Sequence, residues 1–137
     1  MPHDPILIAD TKVWLMKAAN DLRGAEIDLA ANPPLIEDVM FHCQQAAEKS
    51  LKAFLTFHNC PFRKTHSIEE IGESCLVIDK TLAPIVDKAV PLTEYAWAFR
   101  YPGEPEIPSI EEAKESLALA RLVYQSVLDR IPEEAHL

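Results

Sequence analysis

Glycine is scarce in this chain, with three residues among 137, and the scarcity removes whole classes of chemistry. A phosphate-cradling P-loop, a dinucleotide fingerprint and a nucleophile elbow each need glycines at fixed spacing, and none of these spacings occurs; H-E-x-x-H is missing as well. Cysteine is equally sparse. Cys43, Cys60 and Cys75 form an odd set without a C-x-x-C pair, which fits reduced thiols rather than a disulfide framework. His58, Cys60, His66 and Cys75 match no familiar zinc module, so neither a metal nor a cofactor is expected. No apolar run approaches the roughly eighteen residues of a membrane span. No basic segment leads into an apolar one at the N-terminus, so the expectation is a cytoplasmic protein without a membrane role. An excess of positive charge is lacking too. A formal net charge of -9 and a pI near 4.9 argue against a broad phosphate-tracking surface. A cleft can still focus charge locally, with Arg63, Lys64, Lys49, Lys52 and Arg100 as the candidates for a small basic patch.

What the chain has in quantity is proline and helix-forming periodicity. The eleven prolines stand mostly between periodic segments, where a residue without an N–H and with a fixed φ ends one helix or opens the next. With 48% hydrophobic and 26% charged residues, the composition is that of one globular domain over residues 1–137. The first helix is predicted from Ile8 or Asp10 to Ala31, with Trp14, Leu15, Ala18, Leu22, Ala25 and Leu29 on one face and Lys17, Asn20, Asp21 and Asp28 on the other. Its acidic residues read as a solubilising face. A second helix of similar length, Leu35 to His58, follows the Pro33-Pro34 turn. Ser67 and Glu70 predict a capping box for a shorter third helix ending near Asp79. The fourth segment, Leu82 to Tyr101, is expected to be long, with Pro91 kinking or splitting it. Ser109 and Glu112 cap a last helix to about Ile131. No strand pattern is visible. The expected fold is all-α, an up-and-down bundle of four to five helices.

The second helix carries the densest pattern. Val39, Met40, Cys43, Ala46, Ala47, Ser50, Leu51, Ala53, Phe54 and Phe57 share one broad apolar face, with Asp38, His42, Gln45, Lys49 and Lys52 on a narrow polar stripe. Periodicity leaves two readings of the stripe open: a solvated side, or a functional one. His66, beside the capping Ser67, has either a local hydrogen bond or a phosphate or partner contact to make. Arg100 suits a helix C-terminus, where a cation complements the dipole, and equally a nucleotide or partner contact. Tyr95 and Phe99 read as core, Trp97 and Tyr101 as a surface for a second molecule.

Three stretches carry a resemblance. They are the pattern H-x-x-Q-A-x-E-K-x-L-K-A from His42 to Ala53, then Thr65-His66-Ser67-Ile68, and Y-x-x-x-x-R-Y-P from Tyr95 to Pro102. Together they resemble the HEPN domain family of prokaryotic helical bundles. Many members of that family are RNA-cutting toxins that use no metal and pair an arginine with a histidine four to six residues later, generally across a dimer. In such a pair the histidine moves the proton of the 2'-hydroxyl and the arginine stabilises the charged phosphate. Arg100 matches the arginine. The histidine is absent: Tyr101-Pro102-Gly103-Glu104-Pro105-Glu106-Ile107 follows, and the next histidine is His136. The Arg-Tyr-Pro version resembles the small stand-alone members that accompany minimal nucleotidyltransferases.

The resemblance therefore implies a non-catalytic homodimer that binds such a partner, toxin-antitoxin in character, with ATP or GTP as a candidate ligand. It implies a binding site of His42, Gln45, Lys49, Lys52, His66, Arg100 and Tyr101, with no catalytic residue. The alternative it leaves is a metal-independent ribonuclease with a degenerate motif.

Overall fold

The computed structural model describes residues 3–99, 102 and 106–137. Five α-helices carry the architecture: α1 (Pro5–Ala30), α2 (Ile36–Phe57), α3 (Ile68–Ile78), α4 (Ala83–Ala89) and α5 (Ile110–Leu128). No strand occurs among the described residues, so the fold is an all-α helical bundle. No described helix is long and apolar enough to cross a membrane.

Local chemistry sets the helix ends. Asp4 opens α1 by accepting from the Ile6 amide, with Pro5 in the first turn, where its missing N–H costs nothing. α2 closes in a Schellman arrangement. Asn59 takes φ 52°, the Cys60 amide reaches back to the Leu55 carbonyl and the Asn59 amide to that of Thr56. Asparagine here fills the left-handed position usually given to glycine. Ser109 and Glu112 form the expected capping box of α5. At α3 the expectation is half met. Ser67 accepts from the Glu70 amide, but the Glu70 carboxylate is taken by the Arg63 guanidinium at 2.8 and 2.9 Å.

The fourth segment is not the long helix that its periodicity suggests. A short 3-10 turn (Lys80–Leu82) leads into the seven-residue α4, and Val90–Ala96 continues as 3-10. Pro91 supplies no N–H to an α-helical ladder, and the tighter turn accommodates the loss. Arg100 and Tyr101 lie outside the described residues.

α2 is the axis of the bundle. α1 runs along it, α5 packs on another side, and α3 and the Val90–Ala96 turn cover what remains. Leu51, Phe54, Leu55, Val39 and Met40 of α2 meet Leu15 and Leu22 of α1 and Val123 and Val127 of α5 in one core. Being surrounded, α2 buries its polar side chains as well as its apolar ones: Gln44, Gln45, Glu48, Ser50 and Lys52 are all buried. That position decides what the polar stripe can be.

Candidate functional site

The stripe of α2 divides into two polar clusters along the α1–α2 contact. In the first, Asp21 of α1 accepts from Lys49 Nζ at 2.7 Å and pairs with His42 Nδ1 at 2.9 Å. The other ring nitrogen of His42 lies 3.6 Å from Asp28. Asp21 and Asp28, seven residues apart, thus bracket one imidazole, which corrects their reading as an outward solubilising face. Gly24 sits between them. A Cβ there would stand 3.0 Å from His42 Nε2, so a glycine that costs an α-helix about 1 kcal/mol clears the space in which the ring lies.

The second cluster is built on Glu48. Its carboxylate is paired with His66 Nδ1 at 2.7 Å and accepts from Gln44 Nε2 at 3.0 Å and Lys52 Nζ at 3.1 Å. Gln45 donates to the Gln44 side-chain oxygen at 2.6 Å. Lys52 also lies over the rings of Trp14 and Phe62, 5.4 and 5.6 Å from their centres. The rings meet edge-on at 5.9 Å. A carboxylate on one side and two π-faces around it replace the water that a buried lysine gives up. No described buried side-chain N or O is left without a partner, as a low-dielectric interior requires.

Of the residues predicted as a site, the fold brings Gln45, Lys52 and His66 into one cluster and His42 and Lys49 into the other. Apart from Asp38, which is exposed, the stripe is not a simple solvated side. Solvent reaches its members unequally: the His66 side chain is 51% exposed, His42 30% and Lys49 21%, against 8% for Lys52 and 3% for Glu48. Of the five candidates for a basic patch, Lys64 is exposed and Arg100 lies outside the described residues, while the other three are paired. Lys49, Lys52 and Arg63 are each held by a carboxylate of the same chain. Arg63 and Glu70 shift each other's titration, the guanidinium upward and the carboxyl below its usual range, chiefly through their hydrogen bond.

Glu48, Gln44, Gly24 and the pair Trp14–Phe62 were missed as members of these clusters. Glu48 gave one signal, since Lys52 stands four residues beyond it and such a pair on a buried helix must satisfy itself internally. Trp14 and Phe62 gave none. Among the other reactive groups, burial pushes the Cys43 and Cys75 thiols up to about 12, removing them as nucleophiles. No group of three potential metal ligands occurs among the described residues. A cleft of about 260 Å³ lies between α2, the Pro91 turn and α5, lined by Met40, Leu92, Tyr95 and Leu119 with Lys88 and Glu94. None of the predicted site residues lines it. His136 is also committed, its Nε2 lying 2.9 Å from the Leu128 carbonyl and 3.1 Å from that of Ile131 beyond α5.

The profile of the HEPN domain family matches residues 11–131. Among solved structures, an archaeal HEPN homologue is similar with a TM-score of 0.71 and 25% identity, over 96% of this chain and 100% of that one. No curated protein matches.

Proposed function

The chain belongs to the HEPN domain family, and from that premise we propose that it is a non-catalytic member, acting as a homodimeric binding partner of a minimal nucleotidyltransferase. The observation that carries the reading is the missing acid-base partner of Arg100. No histidine follows it before His136, and that ring is engaged with the carbonyls of Leu128, at the end of α5, and of Ile131 beyond it. Without the histidine of the motif to move the 2'-hydroxyl proton, Arg100 keeps the phosphate-holding half of the pair and lacks the cutting half. Binding is the chemistry that remains.

In this reading the contacts to the partner, or to the ATP or GTP it handles, come from His66, His42 and Lys49, which reach solvent, and from Arg100 and Tyr101. Gln45 and Lys52 position His66 from inside through Gln44 and Glu48, and Asp21 positions His42 and Lys49. The exposed Trp97 adds an apolar anchor beside Arg100 in sequence, of the kind that interfaces favour. A two-component, toxin-antitoxin-like system is the setting such a pair would serve.

Two measurements test this. Calorimetric titration with the neighbouring gene product and with ATP and GTP should show binding that weakens at least about tenfold in Arg100→Ala, the cost of one charge-assisted contact. Incubation of the purified protein with RNA in EDTA should show no cleavage. Cleavage that disappears in Arg100→Ala would replace this function with the ribonuclease.

A further inference from the structure

α1 is apolar on two opposite sides, and the bundle uses one. Thr11, Leu15, Ala18, Leu22 and Ala25 face α2 and are buried. On the far side Ile6, Ala9, Val13, Met16, Asn20 and Arg23 are all exposed and follow one another at alternating steps of three and four residues. That is the spacing of a coiled-coil seam, with an average repeat of 3.5. A solvated helix face gains nothing from Ile6, Val13 and Met16 in this register, and a seam needs a second helix.

We infer that a second copy of this chain covers the face, its α1 running antiparallel to the first. The charges beside the seam choose both occupant and direction. Asp10 and Lys17 flank the seam on one edge; both are exposed and neither has an ion-pair partner among the described residues. In an antiparallel pair centred between Trp14 and Leu15, Val13 faces Met16 of the other copy, Ala9 faces its Asn20 and the stem of Arg23 covers its Ile6. In that same register Asp10 meets Lys17 of the other copy, twice by symmetry. On the opposite edge Lys12 meets Ala19, so no like charges face one another. A parallel pair would set Lys12 against Lys17 twice. The sequence is therefore complementary to itself in one direction only. The overlap from Ile6 to Arg23 spans about 26 Å at 1.5 Å per residue, with Ile27 just beyond it. Both clusters of α2, on the inner side of α1, stay uncovered for a partner protein.

The proposal rests on the homodimer reading but not on the nucleotidyltransferase. Sedimentation equilibrium of the full chain and its variants at tens of micromolar separates the two. The wild type should be a dimer, and Met16→Glu a monomer with unchanged circular dichroism. Lys17→Asp should weaken association about tenfold by turning two attractive pairs repulsive, and Asp10→Lys with Lys17→Asp should restore it. A monomeric wild type overturns the homodimer itself. A dimer that survives Met16→Glu, or a double exchange no tighter than Lys17→Asp alone, overturns this seam while leaving the dimer standing.

Discussion

The two polar clusters of α2 use the same vocabulary, a carboxylate shared by a lysine and a histidine, at different depths. Around Asp21, His42 and Lys49 keep part of their surface in water. Around Glu48, carboxylate and lysine are almost wholly enclosed, and only His66 reaches out. The difference assigns different work to similar residues. A half-wet ion pair is cheap to make and cheap to lose, so its members stay available to a partner. An enclosed pair is expensive to desolvate, and removing one member strands the other in a medium that cannot solvate it. The outer cluster can exchange one carboxylate for another, whereas the inner one ties α2 to α1 and to the start of α3.

The largest effect should come from the inner cluster. Glu48→Ala leaves Lys52 without a carboxylate and Gln44 short of an acceptor, and urea unfolding should report a loss of about 3 to 5 kcal/mol. Asp21→Ala should cost less, about 1.5 to 3 kcal/mol for hydrogen bonds to a charged group, since water can rehydrate part of His42 and Lys49. His66→Ala, at the exposed end of the inner cluster, should cost about 1 kcal/mol or less in the same assay. If His66→Ala proves as damaging as Glu48→Ala, depth is not what separates the clusters.

Two smaller effects test the chemistry at the edges. With Ellman's reagent at pH 8, Cys60 should react fast and Cys43 and Cys75 only on unfolding, because burial holds both of those thiols up to about 12. Three fast thiols would mean an open core. Glu70 gives the pH dependence. Its carboxyl titrates below the usual 4.5 because Arg63 hydrogen-bonds it, so the folded state favours the ionised form. That contribution is present in full above the ordinary carboxyl range and is lost as pH falls through the lowered folded value. Glu70→Gln should flatten this part of an acid titration by lowering stability near pH 7 slightly, toward its value in acid, where the wild type has already lost the contribution.

Much of the fold was legible because its signals are local. Prolines between periodic runs, Ser109 with Glu112, and Ser67 at the start of α3 placed four of the helices from side-chain chemistry within a few residues. The fourth segment failed because periodicity records which residues are apolar, not whether the backbone can keep its ladder past Pro91. The turn at Asn59 carried no glycine to announce it. The site was legible by composition and not by environment. His42, Gln45, Lys49 and Lys52 do share a stripe, but whether it meets water depends on how many helices surround α2, a property of the whole bundle. Glu48 completes the inner cluster with His66, eighteen residues away in sequence, and Asp21 is twenty-eight from Lys49. Separations of that size leave no trace in helical periodicity.

The claim that the stripe is an internal framework, rather than a row of free cations, is tested most directly by a double-mutant cycle on Glu48 and Lys52. Urea unfolding of Glu48→Gln, Lys52→Met and the double variant gives the coupling between the two side chains. The framework predicts an interaction energy of about 1 to 3 kcal/mol, with the double variant recovering much of what either single change loses. Additivity within about 0.3 kcal/mol would mean that Glu48 and Lys52 do not hold each other, and would contradict it.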